Sequence, residues 1–333
     1  MTRPDVIALG EPLLRLSPTP NQTLEDASTL HLYVGGSEVN TLVGLTRLGH
    51  PTALLSRLPD HALGHHIEQA IRTEGVDTTH ILQATTGRVG SYWYEPGRGP
   101  RDSAVIYDRA GSAMTQYEPD DLPPDLFAHR ATGIFHTTGI TLAVSASTRR
   151  AALTAMTRAR ALGWRVSFDT NYRSRLWPPD KAERALSAAC ALADILIVPV
   201  KDATTVFHID HGADAEHALT QLRDRFPQQT IVVTHGSKAA AASTPEGSVL
   251  RQGPIATEGV DRIGRGDAFT AGLLHGVLSN DDATLGLRRG LRWGAAMAAM
   301  KFATPGDMPR VDVRAVKRLF HGSSGEGTAG SDR

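Results

Sequence analysis

The sequence has a single cysteine, no net charge and no long apolar stretch. Among its 333 residues Cys190 is the one cysteine, which excludes an internal disulfide framework and is typical of a reducing compartment. The 35 basic and 35 acidic residues cancel, so no overall charge favours nucleic acid or an anionic membrane as a partner. No stretch reaches the roughly 18 apolar residues of a membrane-spanning helix, and residues 1–10 do not resemble a signal peptide. We therefore expect a cytoplasmic protein with neither a nucleic-acid nor a membrane partner.

Short apolar runs alternate with longer amphipathic segments along most of the chain. The predicted strands are 6–9, 53–56, 134–137, 166–168, 195–198 and 231–234, and the predicted helices are 61–74, 145–162, 181–191 and 215–225. This alternation is typical of the α/β class and predicts a three-layer sandwich, with helices on both faces of a central, mostly parallel sheet. Two later helices, 268–278 and 285–302, are rich in Ala and Gly, which predicts close helix packing.

Two regions interrupt this alternation. Residues 13–34 contain Pro-rich turns and short strand-like pieces, and residues 87–113 hold two apolar runs around the turn at 96–100, as in a β-hairpin. We predict that both regions form one small lid sheet inserted into a main domain of residues 1–320. The Gly/Ser-rich residues 321–333 are predicted to be a disordered tail.

Two glycines bracket one residue at the start of a predicted helix, in the run Gly264-Arg265-Gly266-Asp267. Glycines there let successive backbone N–H groups point at one spot, where the helix N-terminus favours an anion. Such a spot would stabilise a phosphoryl group in transfer, and Asp267 could accept a proton from a substrate hydroxyl. Alternatively, Asp267 is an N-cap beside a tight loop, and these residues alone leave both readings open.

A second glycine pair, Gly35 and Gly36, precedes another predicted helix, with Asn40 one turn into it. These glycines would let a ligand approach the backbone, and the Asn40 amide could bind it. The alternative is an ordinary glycine-rich helix entry with Asn40 on the surface.

Together, the two runs resemble the two signatures of the ribokinase-like (PfkB-type) carbohydrate kinases, and the resemblance extends over residues 6–320. It implies that the backbone N–H groups of Gly264, Arg265 and Gly266 form an anion hole and that Asp267 is the catalytic base. The sugar-binding residues that it implies in the first signature are Gly35, Gly36 and Asn40.

The chain departs from the second signature at two positions. Arg265 replaces the usual Ala, and Arg262 replaces the usual Thr or Pro. The side chain of Arg265 could reach a phosphate or could obstruct the pocket. Because the anion hole uses backbone N–H groups, we expect the change at position 265 to be tolerated.

Two arginines bear on the substrate. Arg173 follows a predicted strand, and ligands gather at the carboxyl ends of strands in open α/β sheets. Arg109 lies beside Tyr107 in the predicted lid, with Tyr92 on the opposite hairpin strand. A guanidinium group suits bidentate binding of a carboxylate, which a sugar acid carries and a neutral hexose lacks. The alternative is that both arginines are surface or interface charges.

These segments resemble the 2-keto-3-deoxygluconate kinase branch of the family. The residues that the resemblance implies around a sugar acid are Gly36, Tyr92, Tyr107, Arg109, Arg173 and Asp267. It implies transfer of phosphate from ATP to a primary hydroxyl, with 2-keto-3-deoxygluconate converted to its 6-phosphate. A neutral-sugar kinase of the fructokinase or ribokinase type is the first alternative, and a sugar-binding protein with weak catalysis is the second.

The nucleotide is expected beside a strand and turn similar to the family's T-x-G-x-x-G loop, although Ala239 replaces the second glycine. The residues implied at the nucleotide are Thr234, Gly236, Ser237, Gly264 and Gly266. Mg²⁺ would arrive with ATP, held mainly by phosphates and water. Where the family often has N-x-x-E, this chain has Pro199 and Asp202, so Asp202 is expected to act on the metal only through water. The open edge of a lid sheet further predicts a homo-oligomer.

Overall fold

The computed structural model describes residues 3–97, 100–128, 132–210, 212, 214–236 and 238–322. The strands in these ranges are β1 (Val6–Leu9), β2 (Leu13–Pro18), β3 (Leu30–Gly35), β4 (Thr52–Pro59), β5 (Ile81–Ala84), β6 (Gly90–Glu95), β7 (Ala104–Asp108), β8 (Ile134–Thr138), β9 (Arg165–Asp169), β10 (Ile195–Pro199), β11 (Thr230–Thr234), β12 (Ala240–Ser243) and β13 (Val249–Gln252). The helices are α1 (Ser37–Arg47), α2 (Ala62–Thr73), α3 (Gly139–Val144), α4 (Ala146–Ala161), α5 (Pro179–Leu192), α6 (Val200–Phe207), α7 (Ala215–Arg225), α8 (Arg265–Leu278), α9 (Ala283–Phe302) and α10 (Val313–Gly322).

The central sheet of the described residues has nine strands in the order β13-β12-β11-β10-β9-β8-β1-β4-β5. Neighbours from β11 to β5 pair in parallel, whereas β12 pairs antiparallel with both β11 and β13. Every strand predicted from an apolar run is a member of this sheet, with small shifts at its ends. The predicted α/β sandwich with a mostly parallel sheet is therefore confirmed.

Each face of the sheet carries its own apolar core. Successive side chains of a strand point to opposite faces. In β1, Ile7 and Leu9 accordingly join a core with α4, α5 and α7, whereas Val6 and Ala8 join a core with α1, α8 and α9. The continuous apolar run of β1 is thus explained by burial on both sides.

A separate small sheet has the strand order β3-β2-β6-β7. Strands β2 and β6 pair in parallel, and the pairs β2–β3 and β6–β7 are antiparallel. The predicted hairpin is present, with Tyr92 opposite Tyr107 and their ring centroids 5.8 Å apart. Leu13 and Tyr94 on this sheet pack against Ile263, just before α8. The predicted small sheet is confirmed, and its movement as a lid stays a prediction.

Helices α8 and α9 pack closely, as their small residues predict. A Cβ atom on Gly276 would lie 2.2 Å from the backbone nitrogen of Gly290, so neither helix could approach this closely with larger residues there. Among the described helices, none combines the length and apolarity that a membrane crossing needs. The predicted tail, residues 321–333, lies outside the described residues from 323 onward.

Candidate active site

A cavity of about 580 Å³ lies between the small sheet, the carboxyl ends of β1, β9, β10 and β11, and the first turns of α1 and α8. The residues predicted from the sequence that line it are Gly36, Asn40, Tyr92, Tyr107, Arg109, Arg173, Thr234, Gly236, Gly264, Arg265, Gly266 and Asp267. These residues come from six separate elements or their flanking loops, so the fold gathers the predicted site in one place.

Two of the predicted residues that the structure describes, Gly35 and Asp202, do not line the cavity. Gly35 lies just behind it, where a Cβ atom would be 2.3 Å from a carboxylate oxygen of Asp307. Asp202 is buried, and its Oδ2 accepts hydrogen bonds of 2.8 Å from the Thr170 hydroxyl and from the Tyr172 backbone N–H. The direct surroundings of Asp202 are therefore protein groups, and its action on a metal through water stays a prediction. Ser237 lies outside the described residues.

The Asp267 carboxylate is held by two donors from α1. Ser37 Oγ donates to Oδ1 at 2.7 Å, and Asn40 Nδ2 donates to Oδ2 at 2.7 Å. Asn171, after β9, donates to Ser37 Oγ at 2.7 Å and so fixes the direction in which that hydroxyl donates. Asp267 is thus a fixed, partly exposed carboxylate on the cavity wall.

Burial raises the pKa of Asp267, whereas the hydrogen bonds from Asn40 and Ser37 and the positive charge of Arg173 lower it. A carboxylate whose pKa is raised is a stronger base than an ordinary aspartate. The observed donors orient it and favour its ionised form. This combination suits a general base that accepts a proton from a bound hydroxyl.

Gly264 creates the turn that begins α8. It has φ of 79° and ψ of 0°, in the left-handed region, and a Cβ atom would lie 2.0 Å from the carbonyl oxygen of Asp307. Ala268 N–H closes the first helical hydrogen bond to the Gly264 carbonyl at 2.9 Å. The N–H groups that precede it, from Arg265 to Asp267, have no intrahelical acceptor and carry the positive end of the helix dipole. These N–H groups could bind an anion, and their role as an anion hole stays a prediction.

Arg109 and Arg173, the two arginines predicted to bind a substrate carboxylate, have different surroundings. Arg109 is buried, with its Nε donating to a Glu11 carboxylate oxygen at 2.9 Å and its Nη2 bonded to the same oxygen. Arg173 is exposed and donates through Nη1 to the carbonyl of Tyr172 at 3.2 Å. The surface-charge alternative is wrong for Arg109. Glu11 already pairs with Arg109, which lines the cavity, so a contact between Arg109 and a ligand carboxylate stays a prediction.

A buried ionic cluster lies beside the loop that leads into α8. Arg15 Nη1 is 2.7 Å from Asp261 Oδ2 and 3.0 Å from Asp307 Oδ1, and the Tyr92 hydroxyl donates to the other oxygen of Asp307. The fully buried Lys301 donates to the carbonyl of Asp261 at 3.5 Å. Burial raises the pKa of Asp307 and lowers that of Lys301. The cluster ties β2 and β6 of the small sheet to the loop that begins α8.

The other arm of the cavity is lined mainly by small and apolar residues. Ala295, Ala298 and Ala299 of α9 face the loop after β13 across this arm, and Thr234 and Gly236 flank it. Small side chains leave room for a flat ring, and apolar walls suit its faces. The described residues contain no group of three His, Cys, Asp or Glu side chains that could hold a metal ion.

Sequence reasoning missed two residues of this site, Glu11 and Ser37. Glu11 lies two residues after the end of β1, and its position near the carboxyl end of a central strand was the available signal. Ser37 lies inside the glycine run that was singled out, and its contact with Asp267 depends on how α1 faces α8.

Comparison with known proteins gives a family match over nearly the whole chain. The model of the pfkB family carbohydrate kinases matches residues 3–312. A 2-dehydro-3-deoxygalactonokinase of Haloferax volcanii is 36% identical over 329 residues, covering 99% of each chain. A 2-dehydro-3-deoxygluconokinase of Thermoproteus tenax is 32% identical over 310 residues, covering 91% of this chain and 89% of the relative.

Solved structures agree with these matches. The crystal structure of a 2-dehydro-3-deoxygluconokinase from Thermotoga maritima has a TM-score of 0.85 at 26% identity, covering 96% of this chain and 98% of that one. An aminoimidazole riboside kinase from Salmonella enterica, solved with its riboside and an ATP analogue, has a TM-score of 0.78 at 24% identity, covering 94% and 99%. The similarity to the aminoimidazole riboside kinase supports the fold alone.

Proposed function

The chain belongs to the pfkB family of carbohydrate kinases, and we propose that it phosphorylates a 2-keto-3-deoxy sugar acid at its primary hydroxyl, with 2-keto-3-deoxygluconate as the first candidate. The observation that carries the proposal is the Asp267 carboxylate, held by Ser37 and Asn40 at the N-terminus of α8. A base and an anion-binding helix start lie side by side there, as phosphoryl transfer to an alcohol requires.

The reaction follows from that juxtaposition. The substrate hydroxyl oxygen attacks the γ-phosphorus of ATP, so one P–O bond forms while the bond from the γ-phosphorus to the oxygen bridging to ADP breaks. The hydroxyl proton passes to Asp267, and ADP leaves with the electron pair of the broken bond. The backbone N–H groups at Gly264, Arg265 and Gly266 stabilise the charge on the transferring group, because they are oriented before the reaction begins.

The sugar-acid class is supported by the arm of the cavity beside the small sheet. Tyr92, Tyr107, Arg109 and Arg173 line that arm. Arg173 has an exposed guanidinium group that can pair with a ligand carboxylate. The Haloferax and Thermoproteus relatives bear the names of kinases for the galacto and gluco epimers of one sugar acid. We extend that substrate class to this chain.

ATP is the phosphoryl donor, as the kinase family implies, and we propose that Mg²⁺ enters with it. The nucleotide is assigned to the arm beside Thr234, Gly236 and α9. When bound, the metal would neutralise phosphate charge and be held mainly by phosphate oxygens and water. Asp202 would contribute through water at most.

A neutral-sugar kinase is the second candidate, and one observation favours it. Arg109 is already paired with Glu11, so Arg173 is left as the principal cation for a substrate carboxylate in this arm. A sugar without a carboxylate would leave the Glu11–Arg109 pair undisturbed. We rank this candidate second because a neutral sugar would give Arg173 no carboxylate partner.

We also propose that the small sheet closes over the sugar as a lid and that the protein is a homo-oligomer. Leu32 on β3 and Ile106 on β7 are 44% and 56% exposed, on the two edge strands of that sheet. An open edge with exposed apolar side chains suits pairing with a second copy. Sedimentation equilibrium should give a mass that is a multiple of the 35.7 kDa chain, and a monomer at micromolar concentration would contradict the oligomer.

The experiment that tests the function is release of ADP with ATP and Mg²⁺ against 2-keto-3-deoxygluconate, its galacto epimer, fructose and ribose. We expect turnover with the keto acids and little with the neutral sugars. Turnover with fructose or ribose alone would replace the proposal by the second candidate. The ratio of kcat/KM for the two epimers then assigns the preferred sugar acid.

A further inference from the structure

The side chain of Arg265 lies at the anion-binding end of α8. Arg265 is the first residue of that helix, and side chains in a helix lean towards its N-terminus. Its guanidinium carbon lies 4.2 Å from the centroid of the Phe302 ring, a cation–π contact that fixes the position of the group. The side chain also lines the cavity. Its charged end is therefore held beside the spot at which the helix N-terminus favours an anion.

Arg265 carries a donor that the protein does not satisfy. Its Nε atom is buried and has no hydrogen-bond partner in the described part of the chain. A buried charged donor without an acceptor destabilises the protein, because it has lost its hydrogen bonds to water and forms none to protein groups. In a cavity wall, such a donor indicates an acceptor that arrives with a ligand.

A second cation adds to this effect. Arg262 is exposed and lines the same cavity. The pKa of Arg265 is lowered mainly by its own burial and further by the positive charge of Arg262. Within the described ranges, neither Arg262 nor Arg265 forms an ion pair with a carboxylate. Two like charges near each other, without a counter-charge from the protein, are stabilised when an anion lies between them.

We propose that Arg265 and Arg262 form a clamp on the terminal phosphate oxygens of ATP, which adds two side-chain cations to the backbone anion hole. The clamp rests on the proposed function, which assigns the start of α8 to the transferring phosphoryl group. The sequence left open whether Arg265 would obstruct the pocket. Gly264, Gly266 and Asp267 still line the cavity with Arg265 stacked on Phe302, so the side chain leaves the hole accessible.

The clamp acts at the start of α8, on the terminal phosphates that ATP carries and AMP lacks, so its removal has a distinctive signature. We expect Arg265→Ala to weaken ATP binding by about 10- to 100-fold, the range for loss of charge-assisted hydrogen bonds, while AMP binding stays unchanged. Arg265→Lys should recover little, because a point charge does not reproduce the planar fork. Arg262→Ala should give a smaller loss in the same direction, because this side chain is exposed.

The test is calorimetric titration of the full chain with AMP, ADP and ATP, each with Mg²⁺ and without sugar. Arg158→Ala, on the exposed face of α4 far from the cavity, is the matched control and should bind all three nucleotides as the unaltered protein does. A fall in the ratio of ATP affinity to AMP affinity in Arg265→Ala supports the clamp. An unchanged ratio, or tighter ATP binding in Arg265→Ala, overturns it.

These binding data separate the clamp from the proposed function. If the unaltered protein phosphorylates none of the four sugars but Arg265→Ala still loses discrimination for ATP, the substrate assignment fails and the clamp stands. If the unaltered protein phosphorylates the keto acids and Arg265→Ala matches it in ATP affinity and in kcat, the clamp fails and the function stands.

Discussion

Asn40 donates a hydrogen bond of 2.7 Å to the Asp267 carboxylate across 227 positions of the sequence. The bond joins the first turn of α1 to the first turn of α8. It therefore connects the two glycine runs that the sequence presents as separate features. Because Ser37 holds the other carboxylate oxygen, α1 fixes the orientation of Asp267 and favours its ionised form.

Removal of these donors should change the pH dependence of the reaction. Both hydrogen bonds favour the ionised carboxylate, so Asn40→Ala and Ser37→Ala should raise the pKa of Asp267 further. A base is lost as pH falls through its pKa, so the acid limb of kcat/KM should move to higher pH. At neutral pH we expect a loss of about 10-fold, with partial recovery in alkaline buffer.

Thr41→Val is the control for this pH shift. Its hydroxyl contacts the backbone carbonyl of Asp267 at 3.4 Å and not the carboxylate, so its acid limb should stay in place. Acid limbs that coincide in Asn40→Ala and the unaltered enzyme would contradict the assignment of Asp267 as the base.

The two arginines should respond differently to truncation. Arg173→Ala removes an exposed cation, so we expect the KM for the keto acid to rise about 10- to 100-fold with the melting temperature unchanged. Arg109→Ala leaves Glu11 buried without its counter-charge and should lower the free energy of unfolding by about 3–5 kcal/mol. Steady-state kinetics of both variants measure the change in KM, and thermal melts of both variants measure the change in stability. An unaltered KM for the keto acid in Arg173→Ala would argue against the carboxylate contact.

Gly264 cannot carry a side chain in its observed conformation. Gly264→Ala should cost at least about 1–2 kcal/mol in the free energy of unfolding through its positive φ, and kcat should fall further because the Cβ atom would displace the carbonyl of Asp307. Gly49→Ala is the matched control, since Gly49 has φ of 93° and open space around its Cβ position. It should lose stability but not kcat. Equal kcat in the two variants would contradict the role of the Gly264 turn.

Much of this architecture could be predicted from the sequence, because its signals are local. The apolar run of β1 marks a strand buried on both faces, and its predicted bounds are those observed. Gly264 and Asp267 lie three positions apart, so one short run reports both the turn and the base. The Tyr92–Tyr107 pair follows from a hairpin whose turn is visible in the sequence.

Other parts of the site depend on contacts between distant segments. The pairing of Glu11 with Arg109 requires the end of β1 to face the small sheet, and the Arg15–Asp261 contact requires that sheet to pack against the loop before α8. No periodicity or short motif encodes such distances. The stacking of Arg265 on Phe302 was unpredictable for the same reason.

The buried His136 should make stability depend on pH. Burial lowers its pKa from 6.5 to about 4, and its Nδ1 lies 3.1 Å from Ser167 Oγ. The unfolded chain therefore binds more protons than the native state between these values, so stability is lost as pH falls below about 6.5, by an amount on the order of 3 kcal/mol near pH 4.

Urea unfolding between pH 7 and pH 4.5 measures this loss. His136→Gln should show a shallower dependence of the free energy of unfolding on pH, whereas His66→Gln, an exposed position on α2, should retain the full slope. Parallel curves for His136→Gln and the unaltered protein would rule out His136 as the source.

The most direct test of the central claim is ³¹P NMR of a reaction that contains ATP, Mg²⁺ and 2-keto-3-deoxygluconate, with the unaltered enzyme and with Asp267→Asn. The account predicts a sugar phosphomonoester at the primary hydroxyl that grows as ATP is converted to ADP, and loss of that signal in Asp267→Asn, which keeps the shape of the side chain but cannot accept the proton. A comparable rate of product formation by Asp267→Asn would contradict the base. Absence of a sugar phosphate from the reaction of the unaltered enzyme with either epimer would contradict the sugar-acid kinase itself.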